Sequence, residues 1–421
     1  MSTSGVPRNL KDVVRHFTPA WFTVVMGTGA VSALFNNYPY AHGSSPMKIL
    51  SVIFFLLNVV LFVLFNLFTI CRYTFWPEIW PKMLRHPVQS LFLGTYPMGL
   101  ATILNVAAAL VSVEYRFGGN AFLYFVWACW WFDVVLSFTC AFPLMHIMFT
   151  VHKTQLSDAT TVWMIPPATL VVASSSGGIL ASALQPINPS HALVTLVVTT
   201  FMLITGLVLD FTVYTIYFQR LLLHGPPAAS AVLTTVIALG PTGQGGYAIT
   251  LVGQNFKTML PLDYGDSPFM RSETAGETVY VICVCLAFGM WAITTMWLFY
   301  ALLALQEAVR EARIPFGLQY WGAVFPNGVY ANLTIALYNI LDSKFFQIWG
   351  AIYAAITIAL WVVLLLKTLP MVYKRTIFSA PELIPIDGSA EVEKEEQRRM
   401  EAKQRESGQF VCRIATEREE P

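Results

Sequence analysis

Hydrophobic residues along this chain gather into ten long runs separated by short polar stretches. The runs occupy residues 17–36, 47–71, 88–112, 119–149, 161–183, 189–222, 229–254, 275–309, 320–341 and 344–369. A helix needs about 20 apolar residues to cross a bilayer, so the pattern predicts ten transmembrane helices. Their punctuation alternates. Every odd run holds both proline and glycine, whereas the even runs are mostly plain, with Pro143 in run 4 as the exception. A membrane helix can break where other helices or a watery cavity satisfy its freed backbone groups. The alternation therefore predicts breaks at Gly27, Pro97, Pro167, Pro241 and Pro326, and unwound helix along Gly240–Gly246. The expected fold is all-α and membrane-embedded. Five helical hairpins place the odd helices around a central pore, inside a ring of even helices.

Composition supports a membrane class. Of 421 residues, 56% are hydrophobic and only 12% charged, against about 25% charged in soluble domains. Residues 16–375 read as one transmembrane domain, 1–15 as a cytoplasmic N-terminus and 376–421 as a charged cytoplasmic tail. Thirteen Lys and Arg residues flank the runs on the side of both termini. The opposite side carries five: Lys48, Arg116, Lys257, Arg271 and Lys344. That bias places both termini in the cytoplasm. The first run lacks a small-residue cleavage site, so the first helix is expected to serve as the insertion signal. The tail from Ser389 to Glu406 reads as a solvated, charge-rich segment.

Several chemistries are absent from the pattern. No basic stripe interleaved with aromatics points to nucleic acid. The six cysteines form no CxxC pair, and the seven histidines show no HExxH spacing, so neither a metal nor a cofactor is expected. Gly240-Pro241-Thr242-Gly243-Gln244-Gly245-Gly246 lacks the lysine of a phosphate loop and lies in an apolar run. No catalytic constellation is visible, so the chain does not read as an enzyme.

The odd runs carry no charged residue in their interiors. They hold hydroxyls and amides instead, with Thr95, Ser174, Ser175, Thr242, Gln244 and Asn327 as candidate anion-binding donors along a pore. Helix N-termini add partial positive charge. Weak, uncharged donors suit conduction, because an ion must leave as readily as it enters. The competing reading is helix packing, since small and hydroxyl residues let membrane helices approach closely. Asn58 and Asn66 fit that role in run 2. Asp133 and Asp210 lie inside even runs. A carboxylate there is either a proton-coupling site or an interhelical hydrogen-bonding group.

Specific motifs then carry a resemblance. His16-Phe17-Thr18-Pro19 with Met26-Gly27-Thr28-Gly29 resembles the first helix of the tellurite-resistance/dicarboxylate transporter family. The runs LGTYPMG at 93–99, WWFD at 130–133, VVASSSGG at 171–178, LGPTGQGGY at 239–247 and WGAVFPNG at 321–328 are similar to its fungal sulfite-efflux branch. The resemblance implies ten helices, a pore formed by the odd ones, a homotrimer with a pore in each protomer, and a plasma-membrane location. In the related plant guard-cell anion channels a phenylalanine before the proline of the ninth helix closes the pore. The matching position is Phe325, before Pro326, which makes Phe325 the expected gate. The expected activity is export of sulfite or bisulfite. A malate/dicarboxylate permease or slow-type anion channel is the alternative within the family. A dicarboxylate site would be expected to use Arg or Lys, and the odd runs have none. A receptor or membrane enzyme would need an ectodomain or a catalytic constellation, and neither is seen.

Overall fold

The computed structural model describes residues 9–40, 42–228, 231–263, 265–311 and 316–383. Residues 1–8 and the charge-rich stretch of the tail lie outside the described residues. Ten long helices organise the rest: α1 (Phe22–Asn37), α2 (Ser45–Phe75), α3 (Thr95–Val106), α4 (Gly119–Thr139), α5 (Ile165–Leu184), α6 (Pro189–His224), α7 (Leu239–Met259), α8 (Ala275–Glu311), α9 (Val324–Leu341) and α10 (Lys344–Tyr373). Among the described residues, seven helical stretches are long and apolar enough to cross a membrane: Ser45–Phe75, Ser90–Glu114, Gly119–Thr150, Thr161–Leu184, Pro189–His224, Ala275–Arg310 and Lys344–Tyr373. The remaining three helices, α1, α7 and α9, are shorter or more polar.

Burial differs sharply between enclosed and outward-facing helices. Of the apolar window in the stretch that contains α5, 94% is buried inside the protein, against 17% for α2 and 22% for α8. Along α2 a stripe of Ile49, Ile53, Leu56, Val60, Val63, Leu67 and Ile70 is exposed at alternating spacings of four and three. Such a stripe is one face of a helix, and on a membrane protein it is the face turned to lipid. A helix enclosed by protein needs no such face, so it tolerates glycine, threonine and amides.

The odd helices contact one another in cyclic order: α1 with α3, α3 with α5, α5 with α7, α7 with α9, and α9 with α1. Each packs against the even helix that follows it, and among the described residues no two even helices pack substantially on each other. Small residues set the spacing. A Cβ at Gly27 would lie 2.9 Å from Val324 Cβ of α9, and one at Gly29 would lie 2.2 Å from Thr102 Oγ1 of α3. At Gly177 it would meet Thr199 Oγ1 of α6 at 2.0 Å.

These contacts correct the expected breaks. Gly27 sits inside continuous helix, where its missing side chain admits α9. Gly240–Gly246 is helical throughout. Pro97, Pro167, Pro241 and Pro326 each occupy the third residue of an α-helix that follows a short 3₁₀ turn: Ser90–Gly94, Thr161–Met164, Val232–Ala238 and Leu318–Ala323. In a first turn the backbone N–H has no intrahelical partner, so proline costs little there. The prolines begin these helices and do not interrupt them. Nor are all the other stretches regular. A π-helical turn, Cys140–Leu144, carries Pro143 after α4, and another, Ala107–Glu114, extends α3.

Polar side chains tie the two sets of helices together. Asn58 donates to Thr102 Oγ1 at 3.2 Å, and Tyr96 donates to Asn66 Oδ1 at 3.1 Å. Indole N–H groups do the same work: Trp130 donates to the Ala173 carbonyl at 2.9 Å, Trp361 to Thr28 Oγ1 at 3.0 Å and Trp291 to Thr334 Oγ1 at 3.0 Å.

Beyond α10 the chain turns back as a strap over residues 376–383. Phe378 stacks on Trp21, with ring centroids 5.1 Å apart. Glu382 pairs with Arg72 at the end of α2, and both side chains are almost wholly buried. Arg72 also donates to the Arg15 carbonyl at 3.0 Å and to the Tyr73 hydroxyl at 3.2 Å. A buried pair that loses one partner leaves the other charge uncompensated, at a cost of about 3–5 kcal/mol. Arg72→Ala is therefore expected to lower stability by that order, read as thermal unfolding in detergent. Replacing both partners by methionine is expected to cost clearly less. Gly29→Val is expected to cost about 1–3 kcal/mol through overpacking, checked by the same melts.

Candidate functional site

Four cavities follow one another through the ring of odd helices. The vestibule, about 440 Å³, is lined by Thr18, Val88, Gln89, Leu318, Gln319 and, from the strap, Thr376, Ile377, Ser379 and Pro381 among others. It shares Thr23, Phe92, Ile237 and Gly322 with a first chamber of about 40 Å³. A second chamber of about 60 Å³ lies beyond and shares only Phe325 with the first. An outer pocket of about 140 Å³ shares Asn37, Tyr247 and Asn332 with the second chamber.

The first chamber is built from the opening turns of all five odd helices: Thr23 and Met26 of α1, Thr95 and Met98 of α3, Ile165 and Ala168 of α5, Gly240 and Pro241 of α7, and Phe325 and Pro326 of α9. Later residues of the same helices line the second chamber. The five helices are therefore parallel, and their positive dipole ends converge on the first chamber. Among the described residues, no Asp, Glu, Lys, Arg or His borders any of the four cavities.

Phe325 is the second residue of α9, fixed between the 3₁₀ turn and Pro326, and is 6% exposed. It packs in one apolar cluster with Met26, Met98, Ile165, Ala168, Val172 and Val329. An apolar constriction of this kind can block ions by dewetting.

The candidate donors divide into two groups. Thr95 borders the first chamber, but its hydroxyl is turned to the backbone, with the Phe92 carbonyl at 2.6 Å and the Pro19 carbonyl at 3.0 Å. Gln244 lines the second chamber, and Ser175 lies behind it, joined to Gln244 Nε2. Ser174, Thr242 and Asn327 border none of the four cavities. Ser174 donates to the Val171 carbonyl at 2.7 Å. Thr242 accepts from Thr294 of α8 at 2.9 Å. Asn327 donates to the Ala323 carbonyl and accepts from Tyr353 of α10 at 2.7 Å. Thr242 and Asn327 hold helices together, which is the packing role small polar residues play in membranes, whereas Ser174 bonds within its own helix.

Asp133 and Asp210 border none of the cavities either. Both are fully buried, and none of their carboxylate oxygens has a hydrogen-bond partner. The interhelical hydrogen bond, one of the two readings of these carboxylates, is thus not made in this conformation. Among the described residues, no cluster of His, Cys, Asp or Glu could hold a metal.

The second chamber also holds residues that the sequence reading did not choose. Asn36, Asn37, Asn105, Tyr247 and Asn332 line it, and Asn37 donates to Asn332 Oδ1 at 3.2 Å across the α1–α9 contact. Asn105 and Asn332 are visible as amides within odd runs, but nothing in the sequence separates an amide facing the axis from one facing a neighbouring helix.

A ring of parallel helices around an interrupted path, with no charged lining among the described residues, is the architecture of a membrane channel or transporter. The voltage-dependent anion channel family model of the SLAC1 type matches residues 16–369, and the chain belongs to that family. The sulfite efflux pump of Trichophyton rubrum is 33% identical over 362 residues, covering 86% of this chain and 91% of that one. The sulfite efflux pump of Saccharomyces cerevisiae is 24% identical, covering 87% and 90%. The malic acid transport protein of Schizosaccharomyces pombe is also 24% identical, covering 85% and 78%.

Asn327→Ala should remove a partner from the Tyr353 hydroxyl and cost about 1–3 kcal/mol, while leaving the relative permeabilities of different anions unchanged in liposome flux assays. At the rim of the vestibule, His86 Nδ1 faces the backbone N–H groups of Val88 and Gln89, both at 3.2 Å, before the turn that leads to Thr95. Burial is the main cause holding His86 below its usual value of 6.5, opposed by the charge of Glu382 and reinforced by His152. A depressed histidine contributes stability above the unfolded value, and this is lost as pH falls through the folded one. Stability should therefore fall as pH drops below about 6.5, and His86→Ala should flatten that dependence in melts taken across the range.

Proposed function

We propose that this protein exports sulfite, as bisulfite, by passive conduction along the path of four cavities, with Phe325 as its gate. On this reading all ten long helices cross the bilayer as five hairpins, the odd ones form the pore, and both termini face the cytoplasm. The pore belongs to each protomer of a homotrimer in the plasma membrane, and the activity confers sulfite tolerance. The observation that carries the proposal is the path itself, whose lining among the described residues has no Asp, Glu, Lys, Arg or His side chain and narrows at Phe325.

The convergent helix N-termini favour an anion, and the lack of fixed charge keeps it weakly held. Size favours a small one. A water needs about 10–15 Å³ in such a cavity, so chambers of about 40 and 60 Å³ suit a small oxyanion better than a dicarboxylate. No Arg or Lys is present to grip two carboxylates. The relatives named as sulfite efflux pumps point the same way. Asp133 and Asp210 lie off the path, which supports passive flux over proton coupling.

Reconstitution in liposomes tests the substrate: sulfite uptake should exceed malate uptake, and malate transport without sulfite transport would refute the proposal. The reversal potential across a bisulfite gradient should follow that gradient at two pH values without a separate proton contribution. Phe325→Ala should join the two chambers and raise conductance roughly tenfold or more, equivalent to removing about 1.4 kcal/mol of barrier. Unchanged conductance would count against the gate.

A further inference from the structure

We propose that Ser175 sets the selectivity of the second chamber by fixing which way two amide side chains face, so that the chamber prefers an anion carrying its own proton donor. The inference rests on the conduction path proposed above and specifies how its substrate is chosen. A serine hydroxyl has one proton. Ser175 directs it to the Val172 carbonyl, 2.8 Å away and one turn back in α5. Its oxygen then offers lone pairs alone. Two amides reach that oxygen: Gln244 Nε2 from α7 at 2.5 Å and Asn105 Nδ2 from α3 at 3.5 Å. Each presents its NH₂ group to Ser175. Because an amide is planar, its carbonyl oxygen is then turned away from Ser175.

Gln244 and Asn105 both line the second chamber. Asn105 Oδ1 is buried and has no hydrogen-bond partner, an unmet acceptor on a residue that lines the chamber, and a proton donor on the chamber's occupant would meet it. Opposite, Asn36 donates to Asn37 Oδ1 and Asn37 donates to Asn332 Oδ1, both at 3.2 Å. This leaves the NH₂ group of Asn332 as a donor for anionic oxygen. Donor and acceptor together match an oxyanion that keeps one acidic proton. Bisulfite in its O–H form has such a proton, whereas chloride, nitrate and the sulfite dianion do not. A site built to bond a substrate hydroxyl discriminates strongly against an analogue that lacks it, because its own polar groups are then left unpaired. Ser175 acts here as a positioning residue, through Gln244 and Asn105.

The test uses the full chain in liposomes and reads the permeability ratio of bisulfite to chloride and to nitrate. Ser175→Ala frees both amides to turn and should lower that ratio about three- to tenfold, the usual worth of one neutral hydrogen bond. Ser175→Thr keeps the hydroxyl and should restore the ratio. A packing role alone would slow all anions together and leave the ratio in place, which would overturn the proposal. Asn105→Leu removes one acceptor by a separate route, should shift the ratio in the same direction, and serves if Ser175→Ala does not fold. Unchanged ratios in both variants would overturn the proposal while leaving sulfite export intact. If the wild-type chain carries no sulfite, the substrate reading fails, and nitrate conductance decides the orientation: a rise in Ser175→Ala supports it and no change refutes it.

Discussion

Close approach of five helices around one axis is the constraint on which the rest of this structure depends. Side chains as small as hydrogen make it possible at Gly27 and Gly29, where an added Cβ would collide with the adjoining inner helix. Helices this close leave only small internal spaces, and those spaces form the path. The same enclosure relieves the inner helices of any need to face lipid. They can therefore carry Gln244, Asn105 and Asn332 at a depth where a lipid-facing helix would carry leucine.

Enclosure also separates two uses of polarity. On the outward faces of the odd helices, Thr28, Thr334 and Asn327 receive hydrogen bonds from Trp361, Trp291 and Tyr353 of the even helices. On the inward faces, amides border the second chamber. The two populations are chemically alike and differ only in azimuth around the helix. Between the chambers the wall becomes apolar, with methionine, valine and phenylalanine in one cluster. On the conduction reading proposed above, the barrier there is one of hydration, not of charge.

Much of this was legible in the sequence. Ten apolar runs gave ten long helices, and the alternation of punctuated and plain runs coincides with the alternation of enclosed and lipid-facing helices. The cause assigned to the punctuation did not survive. Pro97, Pro167, Pro241 and Pro326 were legible as special, but a proline that starts a helix and one that breaks it look the same until the preceding 3₁₀ turn is known. Gly27 likewise marks contact with α9, not unwinding. Within the candidate site, Phe325 was reachable through the family resemblance at its place before Pro326, and Gln244 as an amide in an odd run. Ser174, Thr242 and Asn327 were chosen by residue type alone, and type does not report azimuth. Asn36 and Asn37 escaped notice because they sit at the end of a run, where polar residues are ordinary.

The strap after α10 has a consequence for assembly. Thr376, Ile377, Ser379 and Pro381 are part of the vestibule wall, and Glu382 locks them to Arg72, a residue more than three hundred positions earlier. A chain leaves the ribosome in order, so α1 to α10 are synthesised before the segment that completes this wall. The ring of helices can close while the vestibule is still open on one side. The vestibule wall is thus complete only when the two ends of the membrane domain have met.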